Sequence, residues 1–139
     1  MKSKICFITG SRSEFGIMSY LLKELNLING FDLRVILTGS HLSSFYGNTI
    51  EEVKKSGIKK IYKAKIINSN YGKIETSVLM SKALIKINEL LKLTKPQIVI
   101  LVGDRYETFS AAIACYNKGI PIIHFHGGEI TQNSLDDNY

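Results

Sequence analysis

Acids, bases and glycines crowd two short stretches of this chain, Gly103-Asp104-Arg105 and His124-Phe125-His126-Gly127-Gly128-Glu129, with a further acid pair at Asp136-Asp137. Several carboxylates around an imidazole that is neutral near pH 7 suit proton transfer beside a polarised C–O bond. His124 and His126 alternate along one expected strand, which puts both rings on one face and Phe125 on the other. Gly127-Gly128 makes a crowded turn that aims Glu129 into a crevice. Two histidines invite a metal, yet no third or fourth ligand stands at a metal-binding spacing, so no metal is expected. Asp104 has a competing use as the cap of a helix beginning near Tyr106, with Arg105 in a surface pair. Glu107 reads as ordinary helix surface.

A third polar stretch, Gly10-Ser11-Arg12-Ser13-Glu14-Phe15-Gly16, lacks both the GxGxxG spacing and the GKS/GKT ending of a phosphate loop. It still offers Arg12, Glu14 and a helix amino terminus, where backbone N–H groups and a guanidinium can meet a diphosphate. The alternative is a tight turn with solvent-facing charges. A fourth stretch is Thr38-Gly39-Ser40-His41-Leu42.

Each of these stretches follows an apolar run. Ile98-Val99-Ile100-Leu101-Val102 and Ile120 to Ile123 are short and rich in β-branched residues, the pattern of strands buried on both faces of a parallel sheet. Lys4 to Thr9 and Phe31 to Leu37 read the same way, and Ile61-Tyr62 offers a short third strand. Helices are expected over about 16 to 28, 49 to 56, 72 to 93 and 106 to 118. In the third of these, Leu79, Met80, Ala83, Leu84, Ile87, Leu90 and Leu91 share one broad face. Alternating strands and helices give an α/β fold with a doubly wound parallel sheet. Such sheets bind ligands beyond the carboxyl ends of their strands, where all the polar stretches fall.

The 139 residues suit one domain and are short for a two-domain enzyme. With 45% apolar residues and no run of about 18 uncharged apolar residues, neither a membrane span nor a membrane partner is expected. The apolar run after Met1-Lys2-Ser3-Lys4 is too short for a secretion signal, which points to the cytoplasm. Cys6 and Cys115 lie among apolar neighbours and read as buried thiols. The net charge of +6 comes with lysines at 54, 55, 59, 60, 63 and 65, but no aromatic platform accompanies them. A solvated face rather than a nucleic-acid surface is the expectation. After Glu129 the chain runs through a polar segment with no closing element, so the domain reads as incomplete.

Taken in order, Thr9-Gly10-Ser11-Arg12-Ser13-Glu14-Phe15-Gly16, Thr38-Gly39-Ser40-His41-Leu42, Gly103-Asp104-Arg105 and His124-Phe125-His126-Gly127-Gly128-Glu129 resemble the hydrolysing UDP-N-acetylglucosamine 2-epimerases of sialic- and legionaminic-acid biosynthesis. The resemblance runs from the first strand to Tyr139. It implies a Rossmann-like N-terminal half, residues 1–139, of a GT-B-type two-domain fold, with the UDP-gripping C-terminal domain outside this chain. The implied reaction converts UDP-N-acetylglucosamine to N-acetylmannosamine and UDP by elimination and hydration, and a fragment alone would be weakly active or inactive. By the same resemblance Asp104, His126, Glu129 and Asp136 carry the proton chemistry, with Asp137 a rival to Asp136. Arg12, Glu14, His41, Arg105 and His124 are the implied substrate contacts. No cofactor is implied, the partner is a UDP-sugar, and the family tends to homo-oligomers.

Two other readings stay open at this point. The same chemistry on a UDP-2,4-diacetamido-trideoxy sugar fits the front half equally well. A non-catalytic nucleotide-binding module of flavodoxin-like topology would have no need of His124, His126 and the late acids. A GT-B glycosyltransferase is disfavoured because nothing suggests an acceptor site.

Overall fold

Alternate residues of a strand point to opposite faces, so a strand that is apolar throughout must be covered on both sides. The first strand shows the consequence: Ile5 and Phe7 join one hydrophobic cluster, Cys6 and Ile8 the other. The computed structural model describes residues 1–47, 49–66 and 74–128. In it β1 (Ser3–Thr9), β2 (Phe31–Leu37), β3 (Ile61–Lys63), β4 (Ile98–Val102) and β5 (Ile122–Phe125) form one sheet in the order β3-β2-β1-β4-β5. Every pairing is parallel, as the alternation of strands and helices requires.

Helices α1 (Arg12–Leu27) and α2 (Ile50–Lys55) place Phe15, Met18, Leu22 and Val53 on one face of the sheet. Helices α3 (Thr76–Thr94) and α4 (Tyr106–Tyr116) place Leu79, Ala83, Ile87, Leu91, Ala111 and Ala114 on the other. The winding reverses between β1 and β4, which makes the space beyond their carboxyl ends the topological switch point. Register aligns those ends. Thr9 lies opposite Leu37, Phe7 opposite Ile100, and Val102 opposite Phe125, so β1, β2, β4 and β5 terminate in one row.

Three boundaries differ from the sequence reading. Helix α1 starts at Arg12 rather than near residue 16, because Ser11 and Glu14 form a capping box: the Glu14 N–H donates to Ser11 Oγ and the Ser11 N–H to Glu14 Oε2. Gly16 is therefore inside the helix and not the end of a loop. Helix α3 runs from Thr76, after its cap residue Glu75, rather than from about residue 72, and closes where Lys95-Pro96 predicts: Lys95 caps it in the left-handed conformation (φ 46°) that glycine commonly supplies. Strand β5 is displaced towards the carboxyl end, starting at Ile122 and stopping at Phe125.

The two cysteines are free and buried, as expected, and burial pushes the Cys115 thiol up to about 12. The six lysines at 54, 55, 59, 60, 63 and 65 are all exposed, in keeping with a solvated face. No helix of the described residues is long and apolar enough to cross a membrane.

Candidate functional site

The β1–α1 turn is built around one buried carboxylate. Oε2 of Glu14 accepts the Gly10 N–H at 2.7 Å, the Ser11 N–H at 3.2 Å and the Thr9 hydroxyl at 2.9 Å. Three donors on one oxygen leave it no capacity for a ligand. Glu14 thus lies inside the turn, and neither the solvent-facing charge nor the diphosphate contact expected of it describes its position. Its other oxygen, Oε1, is buried without a hydrogen-bond partner among the described residues, 3.8 Å from Arg105 Nε. Desolvation by burial outweighs these bonds and raises the Glu14 pKa above the usual carboxylate value.

His41 is also buried, at 1% exposure, in the short 3-10 turn Gly39–Leu42 that follows β2. Its Nε2 stands 3.1 Å from Thr9 Oγ1 and its Nδ1 2.7 Å from Thr49 Oγ1. Of the two acceptors within reach of the Thr9 hydroxyl, Glu14 Oε2 at 2.9 Å is nearer than the Ser11 carbonyl at 3.2 Å, and with either one taking that proton Nε2–H donates to Thr9 and Nδ1 accepts from Thr49. The ring packs edge-on against Phe15. Burial pulls the imidazole down to about 4, which keeps it neutral at pH 7. The chain Thr49–His41–Thr9–Glu14 ties α2, the β2 turn and the β1 turn together.

Beyond β4, Gly103 takes a left-handed conformation (φ 73°) and the chain turns into α4. Arg105, not Asp104, occupies the position before the helix, and no side chain caps it. The capping use of Asp104 is therefore not realised, and its carboxylate stands at the rim, half-buried. Arg105 makes no surface pair either. Its Nε and Nη2 each lie 3.1 Å from the two oxygens of Glu107, a bidentate contact. Burial works against the Arg105 charge, but Glu107 beside it holds the guanidinium above the ordinary arginine range.

Glu107 is the residue the sequence reading misplaced. It is 1% exposed, not helix surface. A signal for this exists in the chain: Glu107, Ala111 and Ala114 are spaced i, i+4, i+7, so the helical period puts the acid on the buried stripe of α4.

After β5, His126 has φ 52°, so the chain leaves the extended conformation there and the strand alternation that would set both histidines on one face ends at Phe125. His124 lies within the strand; its Nε2–H donates to the Gly103 carbonyl at 2.6 Å, closing β5 onto the β4 turn. A Cβ at Gly127 would run into the His124 ring, so a larger residue there would displace that ring from the Gly103 carbonyl. Glu129, Asp136 and Asp137 lie outside the described residues. Among the described residues no group of three or more His, Cys, Asp or Glu side chains is arranged to hold a metal ion.

Arg12, His41, Asp104, Arg105 and His126 thus all follow strands that end in the same row. Arg12 points outward, 71% exposed, and pairs with Glu52 of α2 at 3.0 Å. Beside it opens a cavity of about 600 Å³ lined by Ser11, Ser13, Ser40, Thr49 and Glu52 among others. This edge offers serine hydroxyls, two guanidinium groups, a carboxylate and an imidazole, the groups that bind a polar phosphorylated ligand and exchange protons with it.

A family described as UDP-N-acetylglucosamine 2-epimerase matches residues 23–139. A polysialic acid biosynthesis protein P7 of Escherichia coli is 38% identical in an alignment of 137 positions that covers 96% of this chain and 34% of that protein. The UDP-N,N'-diacetylbacillosamine 2-epimerase (hydrolyzing) of Legionella pneumophila is 35% identical over 93% of this chain and 34% of its own length. Among solved structures, the Neisseria meningitidis UDP-GlcNAc 2-epimerase bound to UDP-GlcNAc superposes with a TM-score of 0.78 at 25% identity, covering 94% of this chain and 34% of that one. The chain spans about a third of the length of the curated relatives it matches. Its sheet is the Rossmann-like sheet of the N-terminal domain of GT-B-type epimerases. From the family match and these identities, the chain belongs to the UDP-N-acetylglucosamine 2-epimerase family.

Proposed function

We propose that this chain is the front domain of a hydrolysing UDP-sugar 2-epimerase that converts UDP-N-acetylglucosamine to N-acetylmannosamine and UDP. The observation that carries the reading is the single row of strand ends, which brings Ser11-Arg12, Ser40-His41 and Gly103-Asp104-Arg105 to the switch point. In this reading a second domain, outside the chain, closes over the crevice and grips the uridine. The chain alone binds UDP-sugar weakly and turns it over slowly or not at all.

The chemistry sets the order of events. The proton on C2 has no neighbouring carbonyl to acidify it, so cleavage of the C1–O bond runs ahead and positive charge builds on the sugar. UDP leaves with the bonding pair, a base takes the C2 proton, and a C1–C2 double bond forms. Water then adds across that bond, OH to C1 and a proton to the opposite face of C2. Asp104, His126, Glu129 and Asp136 supply the proton transfers, and Arg12 and Arg105 receive the departing diphosphate. His41, neutral and buried, and Glu14, spent on backbone N–H groups, hold the loops on which these residues stand. His124 does the same for the β5 end.

The relatives named diacetylbacillosamine 2-epimerases, at 35% identity in Legionella pneumophila and Campylobacter jejuni, favour a second substrate for the same site, a UDP-2,4-diacetamido-trideoxy sugar. Both are tested together. The complete gene product carrying this sequence, incubated in deuterated water with either UDP-sugar, releases UDP and a sugar labelled at C2. Asp104→Asn lowers that turnover by about 100-fold or more with the circular dichroism spectrum unchanged. Wild-type turnover in the variant, or product without deuterium, contradicts the assignment.

A further inference from the structure

Glu107 is buried, bidentate to a single arginine, and has no place in the proton chemistry above. Three observations bear on what it does. Its two oxygens take Nε–H and one Nη2–H of Arg105, leaving the two N–H groups of Nη1 and the second of Nη2 outside the pair. The Arg105 side chain is 32% exposed while Glu107 is 1% exposed, so the pair is anchored inward and open outward. The third concerns the glycines of the neighbouring turns. A Cβ at Gly39 would run into Glu107 Oε1, and one at Gly10 would approach Glu107 Cδ to 3.1 Å. The carboxylate of α4 therefore fills the space between the turns after β1 and β2. One side chain meets three of the four strand ends that form the rim.

We propose that Glu107 is the positioning residue of this site: it fixes the Arg105 guanidinium so that its free Nη1/Nη2 edge faces the crevice, ready for a bidentate contact with an anionic diphosphate. This rests on the reading of the crevice as a nucleotide-sugar site. An unpaired arginine here would have to lose side-chain freedom when the ligand arrives; a paired one has lost it already. Glu107 also lowers the net positive charge that Arg105 would otherwise carry in a poorly solvated place. Glu14 Oε1, 3.8 Å from Arg105 Nε, is too distant to share the hydrogen bond, so the orientation depends on Glu107.

The test uses the isotopically labelled complete gene product carrying this sequence, with UDP and inorganic pyrophosphate as probes. In the wild type the Arg105 Nε–H proton exchanges slowly with water, and both probes shift the Arg105 side-chain resonances. Glu107→Gln speeds that exchange and weakens UDP binding about tenfold in a variant that still folds by circular dichroism, at a lower melting temperature because a buried charge pair is broken. Glu107→Asp, which keeps the charge but withdraws it by one carbon, falls between the two. In an Arg105→Ala background, Glu107→Gln has less than about a twofold further effect on UDP binding, because the residue it acts through is gone.

Two results overturn the proposal: wild-type Arg105 Nε–H exchange as fast as that of free arginine in water, or an equal loss of UDP affinity with and without Arg105. The exchange measurement needs no variant to fold, since a freely exchanging wild-type proton is decisive by itself. If neither probe moves Arg105 in the wild type, the diphosphate reading of the crevice fails, while the exchange arm still decides whether Glu107 orients the arginine.

Discussion

At the scale of single residues, the site is a set of side chains that spend their hydrogen bonds on the protein so that a few others are left for a ligand. His41 shows the cost. Its folded-state pKa is about 4 against 6.5 for a free imidazole, because the buried ring resists charge. Above pH 6.5 both folded and unfolded rings are neutral and nothing is lost. Below it the unfolded chain takes up a proton that the folded ring refuses, so stability falls as the pH drops from about 6.5 to 4. Two and a half pH units at about 1.4 kcal/mol each give a loss of about 3 kcal/mol. Glu14 has the opposite sign: its raised pKa contributes stability at low pH that is lost as the pH rises through the folded value. Urea denaturation of the wild type at pH 7 and pH 4.5, beside His41→Gln, checks this. The variant has the shallower acid slope; equal slopes would show that His41 does not sense the pH.

Elements place those residues, and here the sequence was read well where period and punctuation agreed. Strand β2 falls where Phe31 to Leu37 predicts it, and Gly57 and Gly119 follow α2 and α4 in the left-handed conformation. Reading failed where a polar residue had a structural use that spacing alone does not show. Glu14 looked like a ligand-facing charge, yet Ser11 and Glu14 are the S-x-x-E of a capping box, and that box moves the start of α1 back to Arg12. Glu107 looked like helix surface because acids usually are, although its i, i+4, i+7 relation to Ala111 and Ala114 places it on the core stripe. Ser11→Ala removes one half of the box. It should cost about 1 kcal/mol in thermal denaturation and loosen the Gly10–Ser13 turn; an unchanged midpoint would mean the cap does not hold α1 at Arg12. Short edge strand β3 illustrates a different constraint. Lys59, Lys60, Lys63 and Lys65 stand exposed along or beside it, and charges on an edge discourage pairing with another chain. The lysine cluster therefore has a use within the fold.

At the scale of the whole molecule, the order β3-β2-β1-β4-β5 accounts for why residues 12, 41, 104 and 126 each follow a strand that ends along one edge although they lie far apart in the chain. That much was legible from the sequence, since parallel strands joined by helices leave every β–α turn on the same side. What was not legible is which polar residues face the crevice and which are consumed in building it, because that depends on contacts between turns more than 30 residues apart, such as His41 to Thr9 and Gly39 to Glu107. The opposite edge of the sheet carries its own polar cavity, of about 390 Å³, beside Lys2, Lys59 and Lys60. Charge alone would send a nucleotide there. The two edges can be told apart by one titration of the labelled chain with UDP, read from backbone amide shifts. The account predicts changes confined to the carboxyl-end turns, at Gly10 to Ser13, Ser40 and Gly103 to Arg105, with Lys2, Lys59 and Lys60 unmoved. Shifts centred on Lys2, Lys59 and Lys60, with the carboxyl-end turns unmoved, would contradict it.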